Sequence, residues 1–274
     1  MVDLSSAVIT FRETLEAALV IGIILVFLFR INQHKFAKYV YLGVAAAVAA
    51  SIVVAMVFNA VAGGFEGRAE QLFEGSTMLI AAVLLSWMIV WMFRQRMSIK
   101  HHVEEKVSKA VERQEKLELF LLPFVAVLRE GVETVIFLSA ASFASGQNIA
   151  IGSFAGIVFA LAVSYLFFTA ARKVNLRLFF NVTSVLLVLF AAGLVAHGVH
   201  EFQEARVLPM TIEHVWNTNW LLNEVSFAGS FAKSLFGYNG DPSLLEMIAY
   251  GTYLAMIGYV FFRINKAPAA AKVL

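Results

Sequence analysis

The sequence contains no cysteine. That excludes disulfides, thiolate metal sites, iron–sulfur clusters and c-type haem attachment. Charge is scarce as well: Asp, Glu, Lys and Arg make up 15% of the 274 residues, against about 25% in an average soluble domain. The net charge of +2 gives no field for a polyanion, so nucleic acid is not a partner. No basic run precedes the first apolar stretch, so that stretch reads as a retained span rather than a cleaved signal peptide. What is abundant is hydrophobic side chain, 60% of the chain, where a soluble protein has about 45–50%. Together these departures exclude a disordered chain and an ordinary soluble enzyme, and point to an integral membrane protein in contact with lipid.

Stretches without charge mark the membrane segments. They lie at 39–65, 75–93, 178–199 and 247–262. A longer one, 134–171, holds two crossings around a polar turn of Ser142, Ser145, Gly146, Gln147 and Asn148. A helix needs about 20 apolar residues to span the hydrocarbon, and two segments fall short of it. The stretches 17–29 and 134–145 become full spans only by taking in the charged residues before them. Those are Arg12, Glu13 and Glu16 in the first, and Arg129, Glu130 and Glu133 in the second.

The expected fold is therefore all-α and integral to the membrane, with seven transmembrane helices near 4–30, 39–64, 70–94, 117–143, 149–172, 177–200 and 243–263. It forms one membrane domain over 1–274: repeat one at 1–94, a cytoplasmic loop at 95–116 and repeat two at 117–200. An outer amphipathic segment at 201–242, helix seven at 243–263 and a cytoplasmic tail at 264–274 complete it. The basic residues Arg30, Lys35, Lys38, Arg94, Arg96, Lys100, Lys106, Lys109, Arg113, Lys116, Arg172, Lys173, Arg177, Arg263, Lys266 and Lys272 fall on one side of this topology. Only Arg68, Arg206 and Lys233 fall on the other. The positive-inside rule then puts the N-terminus outside and the C-terminus in the cytoplasm. The outer side is acidic, which is either the remainder left by that rule or a collecting surface for cations.

Phe11-Arg12-Glu13-Thr14-Leu15-Glu16 and Leu128-Arg129-Glu130-Gly131-Val132-Glu133 share one pattern, apolar-Arg-Glu-x-x-Glu, 117 residues apart. Each sits in the first helix of a group of three. Three is odd, so the groups enter the membrane from opposite sides, as in the inverted repeats of secondary transporters, whose sites lie near the midplane. A charge at the bilayer centre costs from about 2.5 kcal/mol upwards, and six are placed there. At i and i+3 the two glutamates of each motif share a helix face, and Arg12 and Arg129 each reach the glutamate one turn on. Four carboxylates and two guanidiniums leave a deficit that a di- or trivalent cation would neutralise. Oxygen-only ligands suit hard ions. One such motif alone also fits a buried neutral bridge or a proton relay.

The duplicated motif in this topology resembles the oxidase-dependent iron permeases, the fungal high-affinity permeases and their counterparts in the bacterial ferrous-iron uptake system. Glu74-Gly75-Ser76-Thr77-Met78-Leu79 and Trp87-Met88…Trp91-Met92 are similar to that family's third helix. His200-Glu201-Phe202, Gly237-Tyr238…Pro242-Ser243 and Glu246 are similar to its bacterial branch. The resemblance implies iron translocation across the bacterial cytoplasmic (inner) membrane, with Glu13, Glu16, Glu130 and Glu133 in the iron path. It implies iron, Fe²⁺ or Fe³⁺, as substrate and no permanently bound cofactor. It also implies periplasmic partners: an iron-binding or oxidising component and a haem peroxidase.

Glu66, Glu70 and Glu74, together with His197, His200, Glu201, Glu204 and Glu246, form a candidate collecting site at the outer mouth. Each of these also fits an ordinary polar helix end. The aromatic residues of 202–242 suggest a short helix on the membrane surface. The rivals are a permease of the same architecture for another ion, such as Pb²⁺ or Mn²⁺, and a membrane sensor that binds metal without moving it. Enzyme readings find no support. His200-Glu201-Phe202-Gln203-Glu204 lacks the second histidine of a zinc protease helix, and the last span has no lysine for a Schiff base.

Overall fold

The structure is a computed structural model that describes residues 3–94, 99–146, 148–169, 176–224 and 226–266. Arg96, Arg172, Lys173 and Lys272 of the expected basic side, and Gln147 of the expected turn, lie outside the described residues. Among the described residues the regular structure is helical: α1 (Leu4–Arg30), α2 (Ala37–Ala62), α3 (Arg68–Arg94), α4 (Ile99–Glu112), α5 (Lys116–Ser145), α6 (Ala150–Thr169), α7 (Leu176–Glu204), α8 (Phe227–Phe236) and α9 (Leu244–Lys266). The seven long helices fall on the seven expected segments, with ends displaced by at most four residues.

Five of them, α2, α3, α6, α7 and α9, are long and apolar enough to cross a membrane. α1 and α5 are not among these five. Each has the length, but any 18-residue window within it contains too many charges, because the Arg-Glu-x-x-Glu motif sits in its middle.

Helix pairing follows small residues, as expected where lipid supplies no hydrophobic drive between helices. α1 packs most extensively on α6, α2 on α5, and α3 on α7. α1 and α6 run parallel: Gly152 lies against the Asp3 carbonyl and Ser6 hydroxyl, Phe11 against Phe159, and Gly22 against Phe168. Thr10 Oγ1 donates to the Ser153 carbonyl at 3.0 Å. α2 and α5 also run parallel, with Gly43 against the Phe120 carbonyl and Pro123 ring, and Gly131 against Ser51. The partners of Gly152 are residues 3 and 6, and those of Gly43 are 120 and 123, the same two positions shifted by the 117 residues that separate the motifs. α3 and α7 run antiparallel, Gly75 meeting Gly198. Their shared core joins Met78, Leu85 and Met88 to Phe190 and Leu194, with Phe137 of α5 and Tyr253 of α9.

Two segments gain detail in the structure. Of the expected cytoplasmic loop at 95–116, residues 99–112 form α4, which is packed on one face. Val107 and Ala110 of α4 are buried with Ile24, Leu28, Phe36, Val40 and Leu119, so α4 closes the ends of α1, α2 and α5. The 201–242 segment holds the expected short helix, α8, within a folded stretch. α7 itself runs on to Glu204. Backbone bonds Val215 N to Pro242 O (3.1 Å), Thr218 N to Gly240 O (2.8 Å) and Leu244 N to Ile212 O (3.1 Å) tie the segment to the start of α9. α8 is capped by Ser226, whose hydroxyl accepts from Gly229 N, and ended by Gly237 at φ 64°. It packs on α7 through Gly237 against Gly193, with Ser230, Ser234 and Leu235 buried.

Candidate functional site

The two motifs meet. α1 and α5 pack on one another as well as on their parallel partners, and this brings one carboxylate oxygen from each of Glu13, Glu130 and Glu133 within 4.8 Å of the others. Among the described residues no other group of His, Asp and Glu brings three ligand atoms so close. Glu13 is 1% exposed and Glu130 8%. Glu13 Oε2, Glu130 Oε2 and Glu133 Oε2 are buried and accept no hydrogen bond. Buried carboxylate oxygens are costly unless a cation, a donor or a shared proton faces them, so this trio can take a positive charge.

Two arginines supply part of it. Arg12 Nη1 donates to Glu13 Oε1 at 3.0 Å, and Nη2 lies 2.8 Å from Glu16 Oε1. Arg129 Nη2 lies 3.1 Å from Glu130 Oε1, and Nε 3.2 Å from Glu133 Oε1. Each arginine thus holds the glutamate beside it and the one a turn further on, which is the geometry that i, i+4 spacing dictates. The match is not complete. The Arg12 side chain is 0% exposed and that of Arg129 is 47% exposed. Glu16 is not within that 4.8 Å group; it pairs with Arg12 beside it and is more accessible than Glu13.

Three neighbours were not among the candidate site residues, although Met88 and Trp91 belong to the stretch similar to the family's third helix. Ser51 of α2 sits against Gly131, where any side chain would collide with its hydroxyl. Met88 of α3 accepts from Arg12 Nη1 through Sδ at 2.9 Å. Trp91 of α3 lies under the Arg129 guanidinium, 5.6 Å from ring centroid to Cζ. Only the helix partners in space identify them.

The outer candidates divide. Glu246 is 2% exposed and belongs to the fold. With Ser243 it makes a capping box: Ser243 N donates to Glu246 Oε1 (3.1 Å), and Glu246 N to Ser243 Oγ (3.3 Å). Asn239 Nδ2 and His200 Nδ1 complete its bonding at 2.7 and 2.9 Å. His200 Nε2 faces Glu204 Oε1 at 3.2 Å, and Gln71 Nε2 donates to Glu204 Oε2 at 3.0 Å. His197 is turned away from this group. Its Nδ1 lies 3.0 Å from the Gly193 carbonyl, and its ring lines a small cavity with Ser5, Ser145 and Lys233. Gly75 against Glu201 Cβ brings the α3 turn of Glu70 and Glu74 beside the α7 turn of Glu201 and Glu204. Glu66 is exposed in the α2–α3 connection.

The sequence matches the family described as "Iron permease FTR1 family" over residues 3–266. It is similar to the ferrous iron permease EfeU of Yersinia pestis, 31% identical over 268 residues that span 97% of this chain and 95% of that protein. EfeU of Escherichia coli O6:H1 is 32% identical over 258 residues, 92% of this chain and 93% of that protein. EfeU of Shigella sonnei is 32% identical over 267 residues, 96% of each. No solved structure matches the chain.

Proposed function

The chain belongs to the iron permease FTR1 family, and from that premise we propose that it carries iron across the bacterial inner membrane through a midplane site formed by both Arg-Glu-x-x-Glu motifs. It is a permease and not an enzyme, and iron is its substrate rather than a resident cofactor. The observation that carries the reading is the convergence of Glu13, Glu130 and Glu133 within 4.8 Å at mid-helix, beside two arginines. The carboxylates take the ion, and Arg12 and Arg129 hold them apart and balance their charge when it leaves.

In this reading α1 and α5 cross the membrane despite their charges, giving seven crossings. α1–α3 and α5–α7 are inverted repeats, supported by the parallel pairs α1/α6 and α2/α5 and by the matched contacts of Gly43 and Gly152. Charge asymmetry puts the N-terminus outside. Glu70, Glu74, Glu201, Glu204 and His200 gather iron at the outer mouth, where a periplasmic iron-binding or oxidising component and a haem peroxidase are its partners. Glu16, outside the trio, receives the ion next, and rocking of one repeat against the other opens the site inward.

Labelled iron uptake into proteoliposomes tests this. Orientation is scored by an impermeant maleimide on Lys106→Cys, usable because the protein has no cysteine of its own. Glu13→Gln and Glu133→Gln each lower uptake at least about tenfold, the scale of losing one buried charged ligand, at unchanged protein in the membrane. Undiminished uptake in both contradicts the reading.

A further inference from the structure

Met88 and Trp91 are three residues apart on α3 and so share one face of it. α3 carries neither motif, yet the two residues meet the arginines of different motifs. Arg12 Nη1 donates to Met88 Sδ at 2.9 Å, and the Arg129 guanidinium lies 5.6 Å from the Trp91 ring centroid. Both partners are neutral. A thioether is a weak acceptor, and an aromatic face attracts a cation without cancelling its charge. Neither competes with a carboxylate for the arginine, and neither can follow the ion.

That distinction matters during transport. Glu13, Glu130 and Glu133 each keep Oε1 on an arginine and leave Oε2 free for the ion. A guanidinium free to swing would take those oxygens for itself, because unpaired charge at this depth is costly. Arg12 is fully buried, and its Nε has no hydrogen-bond partner. A neutral contact that holds each guanidinium on Oε1 disfavours that collapsed, ion-free arrangement and so raises affinity for the ion.

We propose that Met88 and Trp91 are positioning residues that hold Arg12 and Arg129 on the Oε1 oxygens and so leave the Oε2 oxygens for the ion, so that α3 couples the two motifs. The proposal rests on the carboxylate-site reading above. Its signature lies in apparent affinity, since the contacts favour the ion-bound state. Met88→Leu keeps the volume and removes the sulfur; Trp91→Leu removes the ring; Trp91→Phe keeps an aromatic face. Uptake kinetics in proteoliposomes, normalised to inserted protein, are expected to show KM raised about 3- to 10-fold in both leucine variants and within about twofold of the parent in Trp91→Phe, the range of one partly desolvated cation–π contact. Maximal rates stay near the parent's. A purely structural role lowers the maximal rate at unchanged KM and gives Phe no advantage over Leu; either result overturns the proposal.

A second readout serves if the leucine variants do not insert. Trp87, Trp216 and Trp220, the other three of the four tryptophans, are replaced by Phe, leaving Trp91 as the reporter. Its emission is expected to change on adding iron, and to lose that response when Glu133→Gln is added. No response, or one unchanged by Glu133→Gln, overturns the proposal. Normal KM in the leucine variants beside lost uptake in Glu13→Gln and Glu133→Gln removes this inference alone. Retained uptake in the glutamate variants removes the reading beneath it.

Discussion

Asp3 and Glu246 carry the same charge as Glu70 or Glu204, yet both are buried caps. Asp3 accepts from Ser6 N at 3.0 Å at the start of α1, and Glu246 closes the box with Ser243 at the start of α9. Glu224 and Asp241 are likewise held inside the 201–242 segment, by Lys233 and Gly240 N and by His214. The acidic outer surface visible in the sequence is therefore smaller than the residue count suggests. The spacing Ser243-x-x-Glu246 is a readable helix-start pattern, and it was the local sign that Glu246 belongs to the fold. We expect Ser243→Ala to lower stability by about 1 kcal/mol, the usual cost of a lost N-cap, while leaving the KM for iron unchanged. Thermal unfolding in detergent beside uptake kinetics checks both halves. The motif residues were legible for the opposite reason: six charges inside otherwise apolar spans have no bland explanation twice over. The separate position of Glu16 and the exposure of Arg129 were not legible, because they depend on which helix packs alongside.

Helices α1 and α5 are the elements that hydropathy alone leaves out of the spans; their crossing is the proposal that length plus motif supports. Gly152 and Gly156 of α6 have the small-xxx-small spacing of a close helix contact, but nothing local says that α1 is the partner. No local pattern encodes the register of two parallel helices. Gly43 and Gly152 carry that register: a Cβ on either would overlap a backbone carbonyl, of Phe120 and Asp3 respectively. Gly258 of α9 faces open space. Gly43→Ala and Gly152→Ala are each expected to destabilise by about 1–3 kcal/mol, as overpacked contacts do, and to lower the unfolding temperature in detergent. Gly258→Ala is expected to leave it unchanged. Equal behaviour of all three would contradict the packing described. α4 lies in what the sequence presents as a cytoplasmic loop, and its burial was not legible. Its apolar residues Val107 and Ala110 are few, and only the ends of α1, α2 and α5 cover them.

At the scale of the whole molecule, scarce charge is sorted into three places. In the proposed topology bases gather on one side, acids on the other, and the six motif residues lie between. The sorting was readable from the sequence because membrane insertion selects for it. That the two motifs form one site was readable only as an expectation from symmetry; the contacts between α1 and α5 give it a geometry. The central claim is that neither motif holds the ion alone. Iron binding to the purified protein, measured as stoichiometry by equilibrium titration with Glu13→Gln in one motif and Glu133→Gln in the other, tests it most directly. A single shared site predicts that either substitution weakens the same one binding event by at least about tenfold. Two binding events, each abolished only by the substitution in its own motif, would contradict the account.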